Sequence, residues 1–304
     1  MSKRHGRPMV KVEPKSLTRN TKAFIMLQFC ELFEDIPDIH IVDIGASPID
    51  GQPIYQSILD QGGYRLTGFE PSPAMYEELM KQPHPKMIFL PYAIGDGREA
   101  VLNICSAPGM SSLLEPNLEL LSHFHGFGEW GQVIERQPLT THRLDDIDEV
   151  QDIDFLKLDV QGSELSILEN AVEKLRSTLV IHVEATFVPF YIDQPLFGEI
   201  DLILRKAGFL LHRFGPMVSR VFKPLIMNDN IYNGLSQILW SDAVYVKAFT
   251  GFKDLPLAQL LKIARIVHDV YGSYDLAHLA LSHVDSLSGS QRSSRYLQKL
   301  GTKP

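Results

Sequence analysis

Five polar residues stand where strands read as ending: Asp43, Glu70, Asp159 and the pair His182 and Glu184. A carboxylate at a strand tip can accept two hydrogen bonds from vicinal hydroxyls such as those of a ribose. Glu70, in Gly68-Phe69-Glu70-Pro71-Ser72-Pro73 and about 25 residues beyond Gly45, is the candidate for that contact. A carboxylate can also take the proton from an attacking oxygen. Asp159, which closes Phe155-Leu156-Lys157-Leu158, is the first candidate for that base. His182 and Glu184 come next, two residues apart and so on one face of a strand. Second readings stand beside these. Glu70 and Asp159 precede helices and would suit a macrodipole contact or an N-cap, and a histidine on a buried strand is more often structural. Asp159 with Glu184 would offer oxygen ligands to Mg²⁺, but no third ligand is evident and no metal is assigned.

Glycine placement narrows the ligand. Ile41-Val42-Asp43-Ile44-Gly45-Ala46-Ser47 runs into Pro48-Ile49-Asp50-Gly51, a first strand ending in a loop where the backbone can approach a ligand without a Cβ between them. The spacing is not the GxGxxG of a dinucleotide site, and no GK[ST] follows as in a phosphate-binding loop. A cofactor without a pyrophosphate needs neither.

The elements that would hold these residues alternate. Short strands are expected at 40–44, 65–69, 87–90, 100–105, near Val133, at 155–158, 179–183, 209–214 and 243–246. Helices are expected at 17–33, 53–61 (stopped by Gly62-Gly63), from Pro73, near Leu118, and at 163–171 and 196–207. Strands alternating with helices of these lengths make an α/β fold with a mostly parallel sheet covered on both faces. The domain reading is a basic arm at 1–16, an α/β domain at 17–250 and a helical extension at 251–304. The arm carries Lys3, Arg4, Arg7, Lys11 and Lys15. The extension carries an apolar stripe at Leu257, Leu260, Leu261, Ala264, Val267 and Tyr271. It packs on the sheet or on a partner, a second copy included.

Bulk properties exclude other classes. With 44% apolar and 22% charged residues the chain can bury an ordinary core. A net charge of −8 argues against a broad nucleic-acid surface. Cys30 and Cys105 are far apart, outside any CxxC pattern, and read as small buried hydrophobes in a reducing compartment. No apolar run reaches the roughly 18 to 20 residues of a membrane span, and the basic start lacks a secretory apolar stretch. The cytoplasm is the expected location.

Taken together, Val42-Asp43-Ile44-Gly45-Ala46, Gly68-Phe69-Glu70-Pro71 and the run Ile153-Asp154-Phe155-Leu156-Lys157-Leu158-Asp159-Val160-Gln161-Gly162-Ser163-Glu164 resemble the FkbM family of S-adenosylmethionine-dependent methyltransferases. Ala93-Ile94-Gly95-Asp96, Ser111-Ser112-Leu113 and Arg143-Leu144-Asp145-Asp146 add to the likeness, which spans about residues 38 to 248. The resemblance implies a Rossmann-like seven-stranded sheet with its last strand antiparallel, and methyl transfer from S-adenosyl-L-methionine, usually to oxygen. It implies cofactor contacts at Asp43, Gly45, Ala46 and Ser47 for the methionine part and at Glu70 and Pro71 for the ribose. Ala93, Ile94 and Asp96 would flank the adenine, with Asp159 and Gln161 near the methyl group. The chain departs from the family pattern at Ser47 and Gly51, in a longer loop. The implied acceptor is a hydroxyl on a glycan or other small molecule. The competing classes are a nucleotide-dependent oxidoreductase and a non-catalytic interaction module that keeps the fold. The missing third glycine and the lack of an obvious YxxxK pair count against the first.

Overall fold

Six buried residues in succession, Ile39-His40-Ile41-Val42-Asp43-Ile44, mark a strand covered on both faces, and such a strand belongs inside a parallel sheet. The computed structural model describes residues 28–47, 51–81 and 83–301. The expected basic arm, the expected first helix up to residue 27, and Pro48, Ile49 and Asp50 lie outside the described residues. The chain runs α1 (Phe29–Leu32), β1 (Ile39–Ile44), α2 (Gln56–Gln61), β2 (Tyr64–Phe69), α3 (Pro73–Met80) and β3 (Met87–Leu90). An insertion follows, with β4 (Ala93–Ile94), β5 (Glu99–Cys105), α4 (Leu118–Leu121), α5 (Phe127–Trp130) and β6 (Val133–His142). Alternation resumes with β7 (Phe155–Leu158), α6 (Glu164–Glu169), α7 (Val172–Ser177), β8 (Val180–Thr186), α8 (Phe197–Lys206) and β9 (Phe209–Phe214). The last elements are β10 (Val218–Arg220), β11 (Gln237–Lys247), α9 (Leu257–Asp269), α10 (Tyr274–Ser288) and α11 (Arg292–Lys299).

The main sheet has the order β10-β11-β8-β7-β1-β2-β3, with β9 also paired to β11. Pairing is parallel from β3 through β8, and β11 lies antiparallel to β8, β9 and β10. This is the expected Rossmann-like sheet with its last strand reversed, but it holds eight strands rather than seven. The reason is length. β11 has 11 residues and β9 only 6, so β9 covers 243–247 and β10 pairs with the other end, at 237–240. An uncovered strand edge is a liability that a short extra strand removes. The insertion forms its own three-stranded sheet, β4-β6-β5.

Register decides which face becomes a site. Asp43 lies opposite Lys157, Lys157 opposite His182, and His182 opposite Val244. Residues paired in register share a face, so these side chains form one row. Two residues earlier on the same face stand Ile41, Phe155 and Val180, all buried in one hydrophobic cluster. Two residues later come Asp159, just past the end of β7, and the facing pair Glu184 and Asp242. Each central strand therefore passes from core to polar surface within one step of its period-2 repeat. The opposite face packs Val42, Ile44, Leu156, Leu158, Ile181 and Val183 against α6 and α8, and its buried polar pair, His40 and Thr67, is hydrogen-bonded at 3.0 Å.

Helices α9 and α10 cover the apolar half of the first face, and their Leu260, Ile263, Ala264 and Leu281 share one cluster with Ile39, Ile41 and Leu66. Among the described residues no helix is long and apolar enough to cross a membrane. Cys105 is buried and Cys30 half-buried, and both are free thiols.

Candidate active site

The polar half of that face opens into a cavity of about 860 Å³, within the roughly 300–1,000 Å³ of small-molecule sites. Its floor is built at the tip of β1. Asp43 is buried, with one oxygen 2.9 Å from Lys157 Nζ and the other accepting the Tyr55 hydroxyl at 2.6 Å. Lys157 also donates to the Gly45 carbonyl at 3.3 Å and stands 4.0 Å from Asp159. Burial opposes its charge, but Asp43, Asp159 and Asp242 outweigh burial and hold the ammonium above its usual range. Burial, then the charge of Asp43, pushes the Tyr55 hydroxyl well up, so it stays a donor.

Gly45 is required by contact between two strand tips. Its φ is +84°, and a Cβ there would lie 2.0 Å from the Asp159 carbonyl oxygen. The sequence attributes this glycine to ligand approach; in the structure the close neighbour is the β7 tip. Gly68 serves a related purpose, since a Cβ there would lie 2.5 Å from the ring of Phe89, which lines the cavity.

Past β7 the chain turns through Val160 to Gly162 around one buried carboxylate. Glu164 accepts from the Val160 N–H at 3.0 Å and from the Gly162 N–H at 3.0 Å through its other oxygen. Burial nonetheless pushes its carboxyl up to about 7. The turn puts Gln161 at φ +57°, a conformation that side chains seldom adopt. Gln161 thereby bridges two acids, donating through Nε2 to Asp159 and to Glu184, each at 3.0 Å. The Tyr191 hydroxyl lies 3.1 Å from Gln161 Oε1 and 3.0 Å from the Met110 carbonyl, and its single hydrogen serves one of them at a time. Ser112 Oγ donates to the Gln161 carbonyl at 2.6 Å, tying the insertion to the turn.

Glu184 is pushed well above the usual carboxylate range, first by burial and then by the charges of Asp159, Glu164 and Asp242. His182 has both ring nitrogens engaged, Nδ1 at 3.2 Å from the Tyr271 hydroxyl and Nε2 at 3.6 Å from Asp242. At Asp242 burial is opposed and outweighed by His182 and Lys157, which hold the carboxyl low.

Eight of the residues singled out from sequence therefore line one cavity: Asp43, Gly45, Ala46, Ser47, Asp159, Gln161, His182 and Glu184. Five do not. Glu70 is buried at the end of β2 and accepts the Ser72 N–H at 2.8 Å, where α3 begins. Burial raises its carboxyl, with Asp43 adding to that and Lys157 opposing it. Pro71 follows it, half-buried. Ala93 and Ile94 are buried in the pairing of β4 with β6. Asp96 accepts from the Arg98 N–H at 3.0 Å and from Thr141 Oγ1 at 3.3 Å. Ser47 Oγ is buried on the cavity wall with no hydrogen-bond partner among the described residues. Among the described residues no group of three or more His, Cys, Asp and Glu is placed to hold a metal ion.

Reading from sequence missed the far wall. One step beyond Glu184 and Asp242, β11 presents Trp240, and Phe127, Trp130, Phe190 and Arg220 complete an aromatic chamber. The crowding of aromatic residues in 124–130 and 187–191 was a visible signal for it. Arg220, inside a long connection, carried none.

Against family models, residues 43–211 match the one described as the methyltransferase FkbM domain. No curated protein matches the chain. Among solved structures, it is similar to a magnesium protoporphyrin IX methyltransferase from Synechocystis PCC 6803 with bound SAM, at 12% identity and a TM-score of 0.37, covering 72% of this chain and 76% of that one. A putative methyltransferase from Thermoplasma acidophilum is similar at 10% identity and a TM-score of 0.37, over 70% of each chain. A precorrin-6y C5,15-methyltransferase from Geobacter metallireducens GS-15 is similar at 12% identity and a TM-score of 0.36, over 72% of this chain and 85% of that one.

Proposed function

The chain belongs to the FkbM methyltransferase family, whose methyl donor is S-adenosyl-L-methionine, and on that premise we propose that it methylates a hydroxyl oxygen of a small-molecule or glycan acceptor. The observation that carries this reading is the row of charged strand tips facing an aromatic chamber across one cavity. A donor on the tips and an acceptor in the chamber would meet at Asp159 and Gln161.

The residues present fit the donor. Ser47 Oγ is an orphaned buried polar atom on the cavity wall beside Gly45 and Ala46, and a buried hydroxyl without a partner is costly until a ligand satisfies it. Asp43, Gly45, Ala46 and Ser47 would hold the methionine part. Glu70, with one oxygen on the α3 turn, would offer the other to the ribose, and Pro71 with the 93–96 turn would flank the adenine. When bound, the donor supplies an electrophilic methyl group on a positively charged sulfur.

The chain's own residues then have three tasks. The first is alignment of the acceptor oxygen, worth up to roughly 7–11 kcal/mol in the best cases. The second is exclusion of water by the rings of Phe127, Trp130 and Trp240. The third is removal of the hydroxyl proton, which falls to Asp159. Its carboxylate lines the cavity beside Gln161 and Lys157, partners that keep it oriented. Glu184, whose burial favours its protonated form, shares the Gln161 amide. His182, engaged by Tyr271 and Asp242, is a positioning group.

Calorimetric titration with S-adenosylhomocysteine tests the donor half of the reading. Binding to the wild-type chain is expected, and Glu70→Ala should weaken it by about 1.5–3 kcal/mol, the scale of charged hydrogen bonds. A folded wild-type chain that binds NAD and not S-adenosylhomocysteine would remove the reading altogether. Transfer of labelled methyl from S-adenosylmethionine to a panel of hydroxyl compounds, with the product located by mass spectrometry, tests the acceptor half. Label on nitrogen or carbon instead of oxygen would correct it.

A further inference from the structure

Arg220 and Lys247 are part-buried cations, but the Lys247 ammonium donates to the carbonyls of Leu175 and Arg176 at 3.3 and 3.0 Å. Lys157 pairs with Asp43, Lys262 with Asp154 and Arg265 with Asp269. Arg220 forms no ion pair among the described residues. Its guanidinium carbon instead stands 5.5 Å from the ring centre of Trp240, 5.6 Å from that of Tyr232 and 5.9 Å from that of Phe127. Aromatic faces stabilise a cation but accept none of its N–H bonds in the way an oxygen does. Nη1 donates to the carbonyl of the neighbouring Ser219 at 2.8 Å, and Nε is buried with no acceptor among the described residues. Such an orphaned donor is unfavourable until an acceptor reaches it, and burial lowers the affinity of this guanidinium for its proton. A planar fork of this kind is matched by the paired oxygens of a carboxylate or phosphate.

Its position completes the argument. Arg220 lines the same cavity as Asp159 and Glu184, but on the aromatic side, beyond the acidic row. An anionic head group would be repelled by that row and drawn to Arg220. The rest of the molecule would then lie between the rings, with its hydroxyl turned toward Asp159.

We infer that the acceptor is an anion, a hydroxyl compound bearing a carboxylate or phosphate on an apolar or aromatic body, and that Arg220 is the residue that binds this head group and orients the acceptor. The inference rests on the proposed methyl transfer for what happens next, but not for the anion site itself.

The chain contains two tryptophans, and both Trp130 and Trp240 line the cavity, so intrinsic fluorescence reports directly on the chamber. The full chain, with and without S-adenosylhomocysteine, would be titrated with benzoate, phenyl phosphate and the neutral benzyl alcohol. Saturable quenching by at least one anion is expected, with benzyl alcohol weaker by about tenfold or more. The tighter of the two anions identifies the head group. Arg220→Gln should bring both anions to the level of benzyl alcohol, and Arg220→Lys should retain an intermediate affinity. S-adenosylhomocysteine affinity, measured in the same samples, should match wild type in both variants, which also shows that they fold. Equal affinity for benzyl alcohol and the anions, undiminished anion binding by Arg220→Gln, or no saturable response to either anion would each overturn the inference. Anion binding through Arg220 in a wild-type chain that ignores S-adenosylhomocysteine would sink the methyl-transfer reading and leave the anion site at Arg220 standing.

Discussion

At the scale of single residues the site is a problem of keeping charges apart in a small volume. Lys157 lies between Asp43 and Asp159 and sets one positive charge against both, beside a third acid, Glu184. Removing it should be felt first as stability. Among the described residues, Lys157→Met leaves the buried Asp43 with only the Tyr55 hydroxyl, and breaking one side of a buried pair costs about 3–5 kcal/mol. Urea unfolding of the variant near neutral pH measures that loss, and a change below about 1 kcal/mol would mean the pair is solvated and weak. Asp159→Asn separates chemistry from structure. The amide keeps the shape and loses the base, so turnover should fall by roughly 10²–10⁴ while S-adenosylhomocysteine affinity holds near wild type. Parallel loss of both would make Asp159 a cofactor or structural residue.

At the scale of elements, the turn between β7 and α6 governs whether Gln161 points at both acids. Glu164 anchors that turn, and its protonation couples the turn to pH. With a carboxyl near 7 in the folded chain and near 4.5 unfolded, the folded state binds more protons between those values. Stability from this group is therefore full below about pH 4.5 and declines as pH rises to about 7, by up to about 3 kcal/mol. Glu164→Gln has no such titration. Denaturation at about pH 5 and about pH 7.5 should show the variant gaining on wild type at the higher pH; a constant difference would place the titration elsewhere. The strand tips were legible because Asp159 and Gln161 follow a short apolar strand and precede a glycine, a local pattern. Lys157 and Asp159 stand two residues apart and so share a face, yet their partners were not legible, since Asp43 and Glu184 join them only through register across three strands. Ala93 and Ile94 stood out by a local match, but their pairing with Thr141 and His142 of β6 was not legible, because it joins segments far apart in the chain. The aromatic chamber depends on contacts between the insertion and β11, so its composition was visible and its location was not.

At the scale of the whole molecule, one face of one sheet serves as core and site, and the C-terminal helices draw the line between them. They cover the apolar half and end where Tyr271 reaches His182. Their hold on the rest is concentrated in Arg265, which is fully buried. It donates to the carbonyls of Gly62 and Gly63, satisfying the end of α2, and lies 3.4 Å from Asp269. Asp269 in turn accepts the Phe29 N–H at 3.1 Å, and its carbonyl accepts the Ser57 hydroxyl at 2.8 Å. Burial already raises the Asp269 carboxyl, so Arg265→Met strands an acid and two carbonyls in a dry interior, at a cost of about 3–5 kcal/mol. Because these helices share a hydrophobic cluster with β1 and β2, the variant should melt at a lower temperature in one transition. Calorimetry with circular dichroism distinguishes this from the alternative. If residues 257–299 behaved as a separate appendage, the variant would show an early transition confined to helix content, with S-adenosylhomocysteine binding surviving it. One shared transition, in which helix signal and ligand binding vanish together, is the outcome that a common core requires.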